Sequence, residues 1–157
     1  MHFNSIVSFS LKTMAFFSCF LYNILKEGAQ SVRRKGIAPM KISEIVELLN
    51  AEVLCGEELL DNEVHSACGS DMMSDVLAFV KDQAVLLTGL VNLQVVRTAE
   101  MMDMRCIVFV RGKRPGEDVI ALARDSGIAV LATEERMYPA CGKLYAKGLV
   151  GGSVENV

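Results

Sequence analysis

The sequence predicts an α/β fold with three layers, in which a mostly parallel sheet carries helices on both faces. Short, continuous apolar runs alternate along the chain with segments whose apolar residues recur every three or four positions. The first pattern is typical of strands buried on both faces, and the second of amphipathic helices. The clearest unit spans residues 104–133, where an apolar run, a basic turn, a helical pattern and a second apolar run follow one another. Such alternation indicates β-α-β units and hence a parallel sheet.

The composition is that of a folded protein. Of the 157 residues, 52% are hydrophobic and 22% are charged, which suits one domain with a sizeable core. The net charge of -3 argues against a dedicated nucleic-acid binder, because such proteins usually carry a basic surplus. The five cysteines show no C-x-x-C spacing, so neither a zinc site nor a redox pair is indicated. We therefore expect a reduced, cytoplasmic protein without a metal, and the sequence names no cofactor.

The first 39 residues differ from the rest of the sequence. Residues 14–25 form an apolar and aromatic run, and a basic Arg-Arg-Lys cluster follows it. The run is too short for a typical membrane span and lacks the cleavage site of a secretory signal. We favour a start codon assigned too far upstream, then a weak membrane-associating helix, then a signal peptide. We expect residues 1–39 to lie outside the domain, residues 40–149 to form it, and residues 150–157 to be a flexible tail.

In the first half of the domain, the pattern predicts a helix, two strands and a second helix. Ser43 is expected to cap the first helix. Strands are predicted over residues 52–55 and 64–69, with a polar turn between them. Ser70 or Asp71 is expected to cap the second helix. The apolar face of that helix is predicted to comprise Met73, Val76, Leu77 and Val80.

The middle of the domain repeats the alternation. A strand is predicted over residues 84–87, followed by a helix that Asn92 caps. The next strand is predicted over residues 106–110, and Gly127 is expected to stop the helix that follows it.

The last predicted strand covers residues 128–131. The last helix is expected to begin at Thr133 and to end at Gly148. Pro139 removes a backbone donor early in that helix, so a start at Tyr138 is the alternative.

Four turns follow predicted strands and supply the candidate ligand-binding residues. In parallel sheets of this kind, ligands bind at the carboxyl ends of the strands, where such turns gather. The candidates are Ser70, Asp71, Thr88, Gly89, Arg111, Gly112, Arg114 and Thr133. Neither G-x-x-x-x-G-K-[ST] nor G-x-G-x-x-G occurs, so no phosphate loop or dinucleotide fingerprint is indicated.

The basic turn allows two interpretations. Arg111, Lys113 and Arg114 are suited to bind a phosphate or a carboxylate, since guanidinium groups match both. The alternative is a solvated turn, which Glu117 and Asp118 favour because two acids at the start of the next helix would repel a phosphate.

The acidic turn at residues 70–75 also allows two interpretations. Ser70, Asp71, Ser74 and Asp75 cluster at a helix start, where they are suited to position a ribose, a water or a metal. Capping of the helix is the favoured interpretation, because these residue types satisfy its free N–H groups. Gly89 permits close approach of a ligand to the backbone, although a plain strand-to-helix turn is favoured there.

Three segments of the sequence resemble DRTGG-domain proteins. The segments are residues 64–80 (VHSACGSDMMSDVLAFV), residues 111–123 (RGKRPGEDVIALA) and residues 128–149 (IAVLATEERMYPACGKLYAKGL). The resemblance extends over residues 40–149 and is to the stand-alone members of the family. Such domains also occur in some phosphate acetyltransferases and CBS-domain pyrophosphatases, and resemble the N-terminal domain of HPr kinase. The resemblance implies a regulatory role.

The chain departs from the family pattern at two turns. The letters D-R-T-G-G do not occur, and the turns read Thr-Gly-Leu-Val-Asn at residues 88–92 and Arg-Gly-Lys-Arg-Pro at residues 111–115. The Asp-Arg pair of the fuller pattern therefore has no counterpart in these turns.

The favoured function is a non-catalytic regulatory or ligand-sensing module that binds a nucleotide or another anionic ligand. We expect it to be a homodimer, because a short sheet leaves edges that need cover. The resemblance implies a partner protein, such as a redox enzyme or a kinase-type protein. The alternative is an enzyme of phosphoryl or nucleotide chemistry, with Asp71 or Asp75 as base or metal ligand and Arg111 or Arg114 as anion clamp.

Overall fold

The structure, a computed structural model, describes residues 39–80 and 83–152. The expectations for residues 1–38 and for the last five residues lie outside this part of the chain. The strands are β1 (Met40–Lys41), β2 (Glu52–Cys55), β3 (Glu63–Val64), β4 (Ser66–Gly69), β5 (Ala84–Thr88), β6 (Cys106–Phe109) and β7 (Ala129–Ala132). The helices are α1 (Ile42–Leu49), α2 (Met73–Phe79), α3 (Leu93–Met101), α4 (Glu117–Asp125) and α5 (Met137–Ala146), with a short 3₁₀ turn at Glu57–Leu59.

The main sheet has five strands in the order β2-β7-β6-β5-β4. The four strands from β7 to β4 pair in parallel, and β2 joins β7 antiparallel. β1 and β3 form a separate antiparallel ribbon. This arrangement confirms the predicted mostly parallel α/β fold.

The core consists of two apolar clusters, one on each face of the sheet. Every residue of β5, β6 and β7 is buried, so successive side chains along these strands supply alternate faces. One cluster packs α2, α3 and α4 against residues such as Leu86 and Ile107. The other packs α1 and α5 against residues such as Leu87 and Val108. The three-layer arrangement follows from these two contacts.

Two predictions about element starts are wrong. Ser43 does not cap α1, because Lys41 is the N-cap and the N–H groups of Ile42 and Ser43 donate to the carbonyls of Asn62 and Leu60 at 3.0 and 2.9 Å. The turn before β3 therefore satisfies the helix start that a side chain was expected to satisfy.

The last helix begins at Met137, not at Thr133. The Thr133 N–H still donates to the Phe109 carbonyl at 2.9 Å, so this residue extends the sheet ladder. Pro139 is the third residue of α5, where a missing backbone donor costs nothing because the first turn of a helix has no acceptor for it.

The strand predicted over residues 64–69 is two strands. It breaks at the exposed His65, with β3 pairing to β1 and β4 to β5. Leu77, predicted to face the core, is 41% exposed, whereas Met73, Val76 and Val80 are buried. Within residues 39–80 and 83–152, no helix is long and apolar enough to span a bilayer.

Two glycines give opposite predictions for stability. Gly56 has a φ of 87°, and a Cβ there would lie 2.8 Å from the Ala129 Cα. We expect Gly56→Ala to lower the free energy of unfolding by about 2 kcal/mol or more, through backbone strain and this contact. Gly142 lies inside α5 with nothing within 4 Å of its would-be Cβ, so Gly142→Ala should raise stability by roughly 0.5–1 kcal/mol. Denaturant unfolding of both variants measures this, and equal effects would contradict it.

Candidate functional site

Three turns at the carboxyl edge of the sheet meet at one carboxylate. Asp71 follows β4, Thr88 ends β5 and Arg111 follows β6, and these strands are neighbours in the sheet. The Asp71 Oδ1 accepts hydrogen bonds from the Gly89 N–H at 2.7 Å and from the Thr88 hydroxyl at 3.1 Å. Its Oδ2 accepts from Arg111 Nη2 at 2.6 Å. We call these four residues the Asp71 cluster.

Thr88 and Gly89 shape the floor of the cluster. Thr88 is fully buried, and its hydroxyl oxygen also accepts from the Leu90 N–H at 3.1 Å, which fixes the direction in which the hydroxyl donates. A Cβ at Gly89 would overlap with Arg111 Nη2. The guanidinium therefore rests directly on the Gly89 backbone, and any side chain at this position would displace it.

The backbone that carries Arg111 is held in an unfavourable conformation. Arg111 and Gly112 have φ angles of 66° and 64°, and Arg111 is not a glycine. Its N–H donates to the Glu135 carbonyl at 2.8 Å, and the Gly112 N–H donates to the Thr133 carbonyl at 2.9 Å. Positive φ at such a residue costs on the order of 1 kcal/mol, and these bonds to the loop before α5 hold it in place. Strain of this kind is concentrated at functional sites.

The Asp71 carboxylate stays charged at neutral pH. Burial raises the pKa of this carboxyl group, but the Gly89 N–H, the Arg111 guanidinium and the Thr88 hydroxyl outweigh burial and hold the pKa below its ordinary range. A carboxylate with a lowered pKa is a weak base. The side chains of Arg111 and Asp71 are 45% and 48% exposed, so water or a ligand has access to the ion pair.

Arg111 also lines an open cleft of about 450 Å³. The other lining residues are Glu134, Arg136, Met137 and Tyr138. The sequence-based selection included Arg111 but missed these four. It missed them because the last helix was predicted to begin at Thr133, which assigned the loop before α5 to regular helix. The charged residues Glu134 and Arg136, close in sequence to the aromatic Tyr138, were the available signal for a binding site.

The predicted capping role of Ser70 and Asp71 is wrong. Met72 is the N-cap of α2, and its own side chain makes no capping hydrogen bond. The Ser70 Oγ accepts from the Met72 N–H at 3.0 Å and thus shapes the turn. Asp75 is exposed in the first turn of α2 and does not join the Asp71 cluster.

The remaining candidates lie on the other side of the Arg111 turn. Arg114 pairs with Glu52 of β2 at 2.5 Å, and its hydrogen bond and charge lower the pKa of that carboxyl group. Thr133 is 4% exposed and its hydroxyl donates to the Leu49 carbonyl at 2.7 Å, so it holds α1 to the sheet. A Cβ at Gly112 would lie 2.5 Å from Glu134 Oε2.

Arg114 and Thr133 line a separate cavity of about 80 Å³, together with Glu134 and others. The structure therefore brings Asp71, Thr88, Gly89 and Arg111 together, with Ser70 in the adjoining turn, and leaves Arg114 and Thr133 apart. In the described part of the chain, no group of three or more histidine, cysteine or acidic side chains is placed to hold a metal ion.

The lowered pKa of Asp71 predicts a pH-dependent contribution to stability. A carboxyl group whose pKa is lower in the folded than in the unfolded state stabilises the fold above the unfolded pKa, about 3.9, and loses this effect as the pH falls through the folded pKa. We expect the free energy of unfolding of wild type to exceed that of Asp71→Asn by less than about 1 kcal/mol between pH 5 and 7. The difference is small because the Asp71–Arg111 ion pair is half exposed. This difference should shrink below about pH 4.

Urea unfolding at several pH values measures the effect. Asp75→Asn, which removes a carboxylate outside the cluster, is the matched control. A difference between wild type and Asp71→Asn that grows on acidification would contradict the assignment.

Comparison with solved structures identifies a similar fold. The crystal structure of the CBS and DRTGG domains of the regulatory region of Clostridium perfringens pyrophosphatase, complexed with the activator diadenosine tetraphosphate, superposes with a TM-score of 0.57 at 18% sequence identity. The superposition covers 74% of this chain and 52% of that one, so the chain spans about half the length of that structure. At this identity the likeness shows the fold. A search of curated proteins finds no match.

A sequence model of the DRTGG domain matches residues 44–145. The matched region takes in α1 to α5 almost completely, and with it the whole five-stranded sheet. It confirms the resemblance recognised in the sequence although the letters D-R-T-G-G are absent. The match covers well over half of the chain, and the chain belongs to the DRTGG domain family.

Proposed function

We propose that this chain is a non-catalytic regulatory module that binds a small, phosphate-bearing ligand through Arg111 at the carboxyl edge of its sheet. One observation carries the proposal. A strained turn carries Arg111, whose guanidinium pairs with the Asp71 carboxylate and which also lines an open cleft of about 450 Å³. The guanidinium therefore already binds one oxyanion, the Asp71 carboxylate, at a position that solvent reaches.

A phosphate group competes well for this guanidinium. Arg111 has five N–H donors, and the Asp71 Oδ2 takes one of them at 2.6 Å. A half-exposed ion pair contributes little to stability, so exchanging the carboxylate for a phosphate costs little. Arg136 lines the same cleft and adds a second positive charge. Two arginines on one cleft favour a ligand that presents several phosphate oxygens to their guanidinium groups.

The structural relative supports the same class of ligand. It is a regulatory region in complex with an activator, diadenosine tetraphosphate, which is a polyanion. Our chain matches about half of that structure, which also contains CBS domains. The relative therefore supports anionic ligands for this chain as a class, and the position of the site rests on Arg111 alone.

Ligand binding would reach a partner through Asp71. When a phosphate takes Arg111, Asp71 keeps its bonds to Thr88 and Gly89 but loses its counter-charge. The two turns that it joins lead into α2 and α3, where the N-cap Met72 and the first helical residue Leu93 are exposed. We infer that these apolar side chains belong to the surface that a partner protein or a second copy contacts.

Catalysis receives less support from the geometry. The catalytic alternative requires Asp71 or Asp75 to act beside Arg111 and Arg114. Asp71 is a weak base, and Arg111 and Arg114 line different cavities. Binding alone explains the arrangement.

Inorganic pyrophosphate is the probe that tests this function. We expect titration calorimetry of the full chain to show binding, and the melting temperature to rise with pyrophosphate concentration by mass action. Arg111→Ala should weaken binding by about tenfold or more, because it removes hydrogen bonds between charged groups.

Arg105→Ala is the matched control. Arg105 precedes β6 whereas Arg111 follows it, so it carries the same charge at the opposite edge of the sheet, where it pairs with Asp103 at 3.6 Å. This variant should bind pyrophosphate as wild type does. Equal losses in both variants, or no binding by wild type, would refute the proposed site.

A further inference from the structure

The cleft beside Arg111 has a tyrosine at its rim that anion binding does not use. Tyr138 is 89% exposed, more than any other large hydrophobic side chain that the structure describes. It is the second residue of α5 and lines the cleft next to Met137. A site for a bare phosphate or pyrophosphate needs charge and N–H donors. A tyrosine ring and a thioether at its rim instead suit a planar, apolar group on the ligand.

The two arginines of the cleft stand on chain segments that a hydrogen bond holds together. The Arg111 N–H donates to the Glu135 carbonyl at 2.8 Å, and Arg136 is the next residue along the chain. Glu135 pairs with Lys143 at 2.5 Å, and Arg136 has no carboxylate partner in the described part of the chain. Both arginines therefore line the cleft from backbone segments that are bonded to each other, which suits their guanidinium groups to bind separate phosphates.

Glu134 adds a third kind of group. Its carboxylate lines the same cleft and offers an inorganic anion no hydrogen-bond donor. A carboxylate is, however, a good acceptor for the hydroxyl groups of a ribose. The cleft thus combines positive charge for phosphates, an acceptor for a sugar and an aromatic face for a base.

The volume of the cleft agrees with a ligand of this size. Small-molecule sites usually measure about 300–1,000 Å³. The cleft, at about 450 Å³, falls within that range. A single phosphate would leave most of it empty.

We propose that the cleft binds a nucleoside diphosphate or triphosphate, with its phosphates on Arg111 and Arg136, its ribose at Glu134 and its base stacked on Tyr138. This assignment rests on the anion binding proposed above and adds the ligand class. It makes Tyr138 the residue that distinguishes a nucleotide from an inorganic anion. An exposed tyrosine at a protein interface is the competing explanation, and Tyr145, 60% exposed seven residues later on α5, provides the comparison.

Fluorescence tests the stacking directly, because the chain contains no tryptophan. Tyr138→Trp in the full chain introduces a single indole at the rim of the cleft. We expect ADP to quench its fluorescence in a saturable titration, since the base stacks on the indole. Pyrophosphate at saturation should leave the emission nearly unchanged, and so should ADP added to Tyr145→Trp. Binding of ADP without quenching at position 138, or equal quenching in both variants, would overturn the assignment.

Calorimetry with wild type and Tyr138→Ala separates this inference from the proposed function. Wild type should bind ADP about tenfold more tightly than pyrophosphate, the usual effect of one stacked base. Tyr138→Ala should lose this difference and keep the affinity for pyrophosphate. Equal affinities of wild type for ADP and pyrophosphate would overturn the nucleotide assignment and leave the anion site intact. Binding of neither ligand would overturn both.

Discussion

The carboxylate of Asp71 organises the carboxyl edge of the sheet. It accepts hydrogen bonds from Thr88, Gly89 and Arg111, which lie 17, 18 and 40 residues away in sequence. These donors come from the carboxyl end of β5 and from the turns after β5 and β6, so one side chain joins the ends of three adjacent strands. The guanidinium of Arg111 can occupy its place only because position 89 has no side chain. The backbone at Gly89, the Asp71 carboxylate and the Arg111 guanidinium therefore depend on one another.

The stability of the fold depends little on that edge. Two apolar clusters enclose β5, β6 and β7, and burial of apolar surface supplies most of the free energy of folding. The Asp71–Arg111 pair, half exposed on both sides, adds little by comparison. Exchange of its partners can consequently take place on a scaffold that stays folded. A ligand-responsive site benefits from this separation, because the energy of rearrangement stays small relative to the energy of the core.

The fold class could be predicted from the sequence because it depends on local patterns of apolar residues. The continuous apolar run of β6 and the helical spacing in α4 identify a strand and a helix without reference to the rest of the chain. The antiparallel placement of β2 had no such signal, because a strand of four residues reads the same in either direction. Sequence also placed Asp71, Thr88, Gly89 and Arg111 at one edge, since all four follow predicted strands.

The details of the site could not be predicted in the same way. A serine or aspartate before a helix usually caps it, and that rule uses only neighbouring residues. Asp71 instead accepts hydrogen bonds from donors on other turns. The strand order brings these donors close to it, and local sequence patterns do not reveal that order. The wrong start of the last helix had a similar cause. Thr133 is a favourable N-cap by type, yet its hydroxyl donates to the Leu49 carbonyl, 84 residues earlier. Arg136 and Tyr138 were missed for this reason.

The fixed and movable parts of the site determine where a ligand signal would go. The Arg111 backbone is bonded to the loop before α5, so Arg111 and Arg136 form a frame that need not change when a ligand arrives. The movable part is the guanidinium itself, which would exchange Asp71 for a phosphate in the proposed binding. The exchange would then alter the surroundings of Asp71 and of the turns after β4 and β5, on the side of α2 and α3. Positive φ at Arg111 supports this division, because a strained residue persists only where its surroundings hold it. The cleft would thus receive the ligand on the α5 side, while the response would appear on the opposite helical layer.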